Sequence, residues 1–484
     1  MKAFMKNQFL LPTLIASLNL ILTGHATAQT FTTLHNFSAL DGGDPYTDLI
    51  LSGNILYGAT LNGGSSGNGA IYAINTDGAG FTNLYTFNGV SDGAEPDGLI
   101  ISGTTLYGTG SYSVETNGYG AGDVFKVNTD GTGFTNLHRF AAGVDTGIYT
   151  NSDGANPGAG VILSSNRLFG TTYDGAVSGW GTVFAVNTDG TAFTILHSFT
   201  RSGTDGAYPL AKLTLSGSTL YGTTGNGGSF DDGTVFRINT DGTGFTNLYS
   251  FTAVNFNLTV PTNSDGRIPR NVLILSDNTL YGATLRGGTS GSGTVFKINT
   301  DGTGFKNLHN FTAIDFNSGS PTNSGGALPI GGLVLQGKHL FGTTVDGGIF
   351  GNGTIFMVNT DGSGFSNLHN FNTDTDGAYP YAGLILSGNT LYGAAQVGGS
   401  SGNGTVFSLT LPSPPPLTIT PFAANVILFW PTNATGFPFT LQATTNLVSQ
   451  AVWTTVSPVS AVVSGLNTVT NPISGAQKFY RLSQ

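Results

Sequence analysis

A triplet of Leu, then Tyr or Phe, then Gly recurs seven times along the chain, at Leu56, Leu106, Leu168, Leu220, Leu280, Leu340 and Leu391, with spacings of 50, 62, 52, 60, 60 and 51 residues. A period of this length marks a chain built from repeated supersecondary units, none of which can bury its apolar face alone. Each triplet follows an apolar run and a polar turn, as in LILSGNT at 384–390. After it come a Gly-rich turn, a run such as GTVFKINT at 293–300, and a run such as FKNLHNF at 305–311. Each unit therefore offers four short runs with period-two alternation and no helical stretch, which reads as a four-stranded meander. NTDG, with residues that tolerate positive φ, supplies a tight turn between the third and fourth runs. Four strands are marginal in water, but sheets stacked face to face bury both surfaces, and seven can close a circle. The pattern predicts an all-β, seven-bladed β-propeller.

The two ends of the repeat region sharpen this. The last unit stops at Thr405, Val406 and Phe407 and runs into proline without its fourth strand, whereas FTTLHNF at 31–37 matches FTNLHRF at 134–140 and FSNLHNF at 365–371. The first strand is thus expected to complete the last blade. That places the shared strand outermost and the LILSG run innermost.

Ahead of that strand, Lys2 and Lys6 precede an apolar run over 9–22 and the small residues Ala26, Thr27 and Ala28. This is the pattern of a signal peptide, residues 1–28, cleaved after Ala28, and predicts a secreted or cell-surface protein. No later stretch approaches the roughly 18 apolar residues of a membrane span. With Cys 0, the chain must be held by packing alone. Only 9% of residues are charged, and 16 basic against 26 acidic ones give a net charge of −10. Such a chain has no electrostatic footprint for nucleic acid or anionic lipid. The Pro-rich stretch 412–416 should be a stiff linker between the propeller, residues 29–411, and a second domain, 417–484, whose short alternating runs suit a small β-sandwich.

The motifs LYGTT, GTVFKINTDG and DGAYP resemble the GloVer tandem repeat of secreted bacterial proteins, over residues 31 to about 410. The resemblance implies export and a repetitive β architecture, and brings no catalytic residue with it. Residues 417–484 resemble fibronectin type III-like tails, which implies attachment or spacing.

The histidines are the first candidates for chemistry near neutral pH. His35, His138, His197, His309 and His369 share one position of the Phe-x-x-Leu-His-x-Phe run, where Tyr85 and Tyr249 stand in the other two copies. A ring that tyrosine replaces reads as packing between blades. His339, in QGKH, reads as an exposed turn residue. Asp77, Asp130, Asp189, Asp241, Asp301 and Asp361 belong to the NTDG turn, which is similar to the Asp box of sialidases and argues for turn-making. No cofactor is implied; calcium stays open at these turns, although each offers one carboxylate where a calcium loop collects several. Asp41, Asp92, Asp153, Asp205, Asp265 and Asp376 each lie four residues before a proline, with Gly325 in the seventh copy. They either start tight turns or ring the channel mouth as a binding site. Departures from the repeat are the other candidates: Tyr112, Glu115, Tyr119, Trp180, Asp231 and Asp232, on loops of the same rim that suit sugar stacking and hydroxyl recognition.

No Ser-His-Asp constellation or metal-ligand spacing is visible, and Glu95 and Glu115 are the only glutamates. The sequence therefore points to a non-catalytic exported binding or scaffold module for a glycan or envelope protein. The alternatives are a polysaccharide hydrolase or lyase on the same scaffold, and a purely structural surface protein.

Overall fold

The structure is a computed structural model describing residues 29–115, 118–145, 147–255, 260–315, 321–412, 417–432, 439–445, 452–457, 460–463, 465–472 and 478–483. Residues 1–28, expected to be a signal peptide, and positions 413–416 of the expected linker lie outside the described residues. Regular structure among the described residues is β throughout. Two compact units are present, the larger being Phe31–Ser387 with Leu391–Ser408 and the smaller centred on Leu409–Gln484.

The larger unit consists of seven successive antiparallel meanders of four strands, one carrying an additional short strand, Gly118–Gly120. In the third, Val161–Ser164, Arg167–Thr172, Thr182–Asn187 and Thr194–Ser198 are neighbours in chain order. The seventh joins Ile385–Ser387, Thr390–Ala395 and Thr405–Thr410 to the first strand, Thr30–Asn36, which takes the outer edge. The amide of Phe37 donates to the carbonyl of Gly404 at 3.0 Å and continues that pairing.

The repeated triplet has a physical explanation. Its leucine is fully buried in all seven copies. Its Tyr or Phe points to the other side of the sheet and packs against the neighbouring unit. Its glycine stands directly across the ladder from the aromatic residue of the third strand, as with Gly222 and Phe236 or Gly282 and Phe296. A β-carbon on Gly222 would lie 2.5 Å from Phe236 Cζ, and on Gly393 2.6 Å from Phe407 Cζ. The missing side chain makes room for the ring. Gly222→Ala should therefore cost about 2–3 kcal/mol by overpacking, read as a shift in urea midpoint at unchanged slope.

Aromatic pairs bind each unit to the next. The His or Tyr of one outer strand stacks flat on the Phe at the start of the following one: His35 on Phe81 at 3.7 Å, His138 on Phe193 at 3.6 Å, Tyr249 on Phe305 at 4.0 Å and His369 on Phe31 at 3.9 Å. The last of these joins the outer strand of the sixth meander, Ser366–Asn370, to the chain's first strand in the seventh. Buried clusters do the same: Phe37, Tyr392 and Val406 share a core with Leu49, Leu56 and Tyr72 of the first meander. Tandem small sheets stacked in this way form a propeller-like all-β scaffold.

The smaller unit has two sheets. Thr418–Phe422, Asn425–Pro431, Leu466–Pro472 and Ala461–Val463 form one, and Thr454–Thr455, Thr440–Thr444 and Phe479–Ser483 the other. Leu428, Trp430 and Val469 of the first sheet share a buried core with Leu441 and Ala443 of the second. His339 corrects an expectation: it opens strand His339–Thr344 and is buried, because the turn ends one residue earlier than its polar sequence implies.

Candidate functional site

Seven prolines, from Pro45 to Pro380, introduce the innermost strands, and each is preceded by a residue with left-handed backbone: Asp44, Glu95, Asn156, Tyr208, Ile268, Leu328 and Tyr379, with φ between 52° and 58°. For non-glycine residues this conformation is uncommon, and for β-branched Ile268 it is an outlier. Inter-unit hydrogen bonds hold it. Tyr208 donates its amide to Trp180 O at 3.0 Å and Ile268 to Asp232 O at 3.0 Å, while Asp44 in the first meander donates to Asn403 O in the last at 3.2 Å.

The kink delivers the residue after each proline to a common cavity. Tyr46, Asp97, Gly158, Leu210, Arg270, Ile330 and Tyr381 all line a volume of about 430 Å³. The prolines repeat, but the residues following them include six different types. Two residues further along, Asp48 and Lys212 also reach the cavity, as do Glu95, Tyr112, Tyr173 and Asp174.

The cavity's charges are unevenly satisfied. Asp97 accepts from the Gly98 amide at 2.8 Å and Asp48 from the Gly383 amide at 2.6 Å. Lys212 donates to Leu99 O at 3.3 Å. Asp97 and Lys212 keep some solvent contact yet lie deep among protein atoms. Burial pushes Asp97 up to about 7, against the hydrogen bond from Gly98, and the nearby Asp48 and Glu95 carboxylates push the same way. Burial also lowers the Lys212 ammonium, which Asp48 and Asp97 partly offset. Glu95 and Asp174 are likewise raised by burial. A carboxyl group, an amine and a guanidinium beside tyrosine rings supply donors and acceptors for a polar ligand with an apolar face.

The sequence candidates fall in several places. Tyr112 lines the cavity. The side chains of Glu115 and Tyr119 lie outside the described part of their strands. Trp180 is half-buried and meets Tyr208 edge to face at 5.1 Å, with the Arg201 guanidinium 4.6 Å from its ring. Asp231 holds Arg201 through two hydrogen bonds, one of 2.8 Å from Nε. Asp232 is buried and faces Arg267 at 3.4 Å. Asp41, Asp92, Asp153, Asp205, Asp265 and Asp376 are not among the cavity's lining residues. Each instead accepts from or pairs with the ring of the preceding outer strand: His35–Asp41 is 3.3 Å, Tyr85–Asp92 2.8 Å, His138–Asp153 3.0 Å, His197–Asp205 3.1 Å, Tyr249–Asp265 2.7 Å and His369–Asp376 2.5 Å. The same carboxylates cap the chain where the outer strand ends, as Asp205 does for the Thr200 amide. Burial raises Asp205, but the bonds from His197 and Thr200 outweigh it and hold the group below its ordinary value. The NTDG aspartates accept from the amide two residues on, as Asp241 does from Thr243 at 2.9 Å.

Gly325 leaves His309 without this acid. Burial alone then lowers His309 to about 4. A histidine at about 4 when folded and 6.5 when unfolded contributes a penalty that is absent above pH 6.5 and grows as pH falls toward 4. Gly325→Asp should remove it. After allowance for solvent screening, its stabilisation at pH 5 should exceed that at pH 8 by about 1–2 kcal/mol. The new β-carbon would lie 3.3 Å from Phe365 Cε1, a contact the ring relieves by a small shift. Denaturant titrations at the two pH values check this.

The model of the Gloeobacter/Verrucomicrobia repeat matches the chain over residues 20–151, 142–318 and 253–426. The chain belongs to that repeat family. No curated protein matches it. Among solved structures, the Niastella koreensis GH74 enzyme is 14% identical with a TM-score of 0.46, covering 93% of this chain and 72% of that one. An oligogalacturonate lyase in complex with manganese is 11% identical with a TM-score of 0.46, covering 81% of this chain and 99% of the other. Within the Gloeobacter/Verrucomicrobia repeat region, the residues missed by sequence reasoning are Asp48, Asp97, Lys212 and Arg270. The available signal was a charge inside an otherwise apolar inner-strand run, as in PLAKLTL at 209–215.

Proposed function

We propose that this chain is an exported, non-catalytic seven-bladed β-propeller, closed by its first strand, that binds a glycan at the mouth of its axial cavity. The fibronectin type III-like tail serves as spacer or attachment module in this reading. One observation carries it: the scaffold repeats seven times, while the residues after the seven prolines, which meet in one cavity, do not repeat. Identical turns serve folding; a surface specialised copy by copy serves recognition. Tyrosine rings offer sugar faces, and Asp48, Asp97, Lys212 and Arg270 offer hydroxyl partners. Export rests on the basic, apolar and small-residue succession of residues 1–28.

The test is a glycan array probed with the full chain, followed by titration of each hit. Arg270→Ala and Tyr381→Ala, both half-buried at the cavity, should each weaken binding about tenfold or more, the loss of one good contact. An empty array, or hits indifferent to both substitutions, would sink the reading. Asp97 near 7 beside Asp48 and Glu95 is what favours the second reading, an enzyme on polysaccharide, and release of shortened product from a hit would establish it.

A further inference from the structure

Three rings run without a gap from the cavity wall to the outside. Tyr173, on the cavity, stacks on Tyr208 at 4.6 Å with planes 22° apart. Tyr208 meets Trp180 edge to face at 5.1 Å and 74°. Tyr173 and Trp180 belong to one loop of the third meander, between Arg167–Thr172 and Thr182–Asn187, and Tyr208 is the left-handed residue that starts the fourth. Its amide bond to Trp180 O fixes the row across the joint between the two units.

The outer end of the row is braced. Arg201 lies 4.6 Å from the Trp180 ring and is held by Asp231 through Nε and Nη2. Both Arg201 and Asp231 have left-handed backbones, at 53° and 63°. Two strained residues from separate loops are thus spent on presenting one guanidinium beside one indole. Across the mouth, Tyr46 stacks on Tyr381 at 4.8 Å. In the closed ring these belong to the first and seventh units, on the far side from Tyr208.

From this geometry, and resting on the glycan reading above, we propose that the ligand is a chain of at least three or four sugars. One end sits in the cavity between Tyr46, Tyr381, Lys212 and Arg270. The chain then leaves along the row formed by Tyr173, Tyr208 and the accessible edge of half-buried Trp180, with hydroxyls on Arg201 and Asp231. An apolar ring face followed by a fixed donor and acceptor matches the alternating apolar and hydroxyl surfaces of a pyranose chain. A ligand filling only the cavity would have no use for a row of rings leading out of it.

The full chain is titrated with cello-, xylo- and chito-oligosaccharides of two to six units. For whichever series binds, affinity should rise about tenfold or more between two and four units, the increment of one added stacked sugar, and then level off. Trp180→Ala should bind the two-unit ligand like the parent and lose the rise. Arg201→Gln, a change at a partly exposed side chain that leaves the core intact, should reduce the rise several-fold, which keeps the test valid if Trp180→Ala proves unstable. Equal affinity for two and six units, or a rise untouched by both substitutions, overturns the extended site and leaves the glycan reading standing. Binding by none of the three series overturns the extended site, and an empty array overturns the glycan reading as well.

Discussion

Asp123→Thr is expected to stabilise the protein by about 2–4 kcal/mol at pH 8 and to change it little at pH 4. Asp123 is fully buried in strand Asp123–Asn128, and neither carboxylate oxygen makes a hydrogen bond of good geometry among the described residues. Burial pushes the group up to about 8, opposed by Arg139 and reinforced by Asp92. The sign follows from linkage. The unfolded chain ionises near the ordinary value of about 3.9, so the penalty on the folded state begins there and grows until the folded group ionises near 8. In the third to sixth meanders this position is threonine, whose hydroxyl pairs with a second threonine across the ladder, as Thr182 does with Thr172 at 2.9 Å and Thr234 with Thr224 at 2.8 Å. The second meander has Gly110 opposite Asp123 instead. Urea titrations of parent and variant at pH 4 and pH 8 decide the matter: equal offsets at the two pH values would contradict a buried acid as the cause.

Deleting residues 31–37 should cost more than about 5 kcal/mol, on the scale of a domain's whole net stability. Phe37 is fully buried against the first and seventh meanders at once, and Phe31 stacks on His369 and lies 5.3 Å from Phe407. Loss of the segment exposes these rings and unpairs the edge of strand Thr405–Thr410. Phe37→Ala alone should cost about 3–5 kcal/mol. A peptide of residues 29–40 added in excess should restore the melting temperature of the deleted protein in proportion to its concentration. A deletion variant melting within a few degrees of the parent would mean that the joint between the two ends bears no load.

The scaffold was legible because it repeats. Seven triplets gave the number of units, the four alternating runs gave the strands in each, NTDG gave the turns, and the match of residues 31–37 to 134–140 placed the first strand at the outer edge of the last meander. Each is a local pattern with a local cause, down to the glycine that clears the ring opposite it. The cavity was less legible, for an opposite reason. Asp97 and Lys212 become neighbours only after more than one unit's worth of chain has curved round to the same cavity, so no spacing joins them in sequence. The six aspartates that precede the prolines recur with the repeat, and their recurrence tracks the outer-strand rings they bond. Tyr208 is intermediate: its place before Pro209 was readable, but its left-handed backbone and its contact with Trp180 were not.

The pairing of strand Thr30–Asn36 with strand Thr405–Thr410 has a consequence for biosynthesis. The first of these leaves the ribosome roughly 370 residues ahead of its partner, a delay of roughly 20 to 75 s at ordinary elongation rates. Through that interval the earliest strand has every later meander forming beside it and no edge of its own to join. Its Thr, Thr, Leu, His and Asn, set between Phe31 and Phe37, form a strand-prone segment, so while unpaired it can seek another chain's edge. The seam is thus a step at which a foreign strand can take the place of the native one.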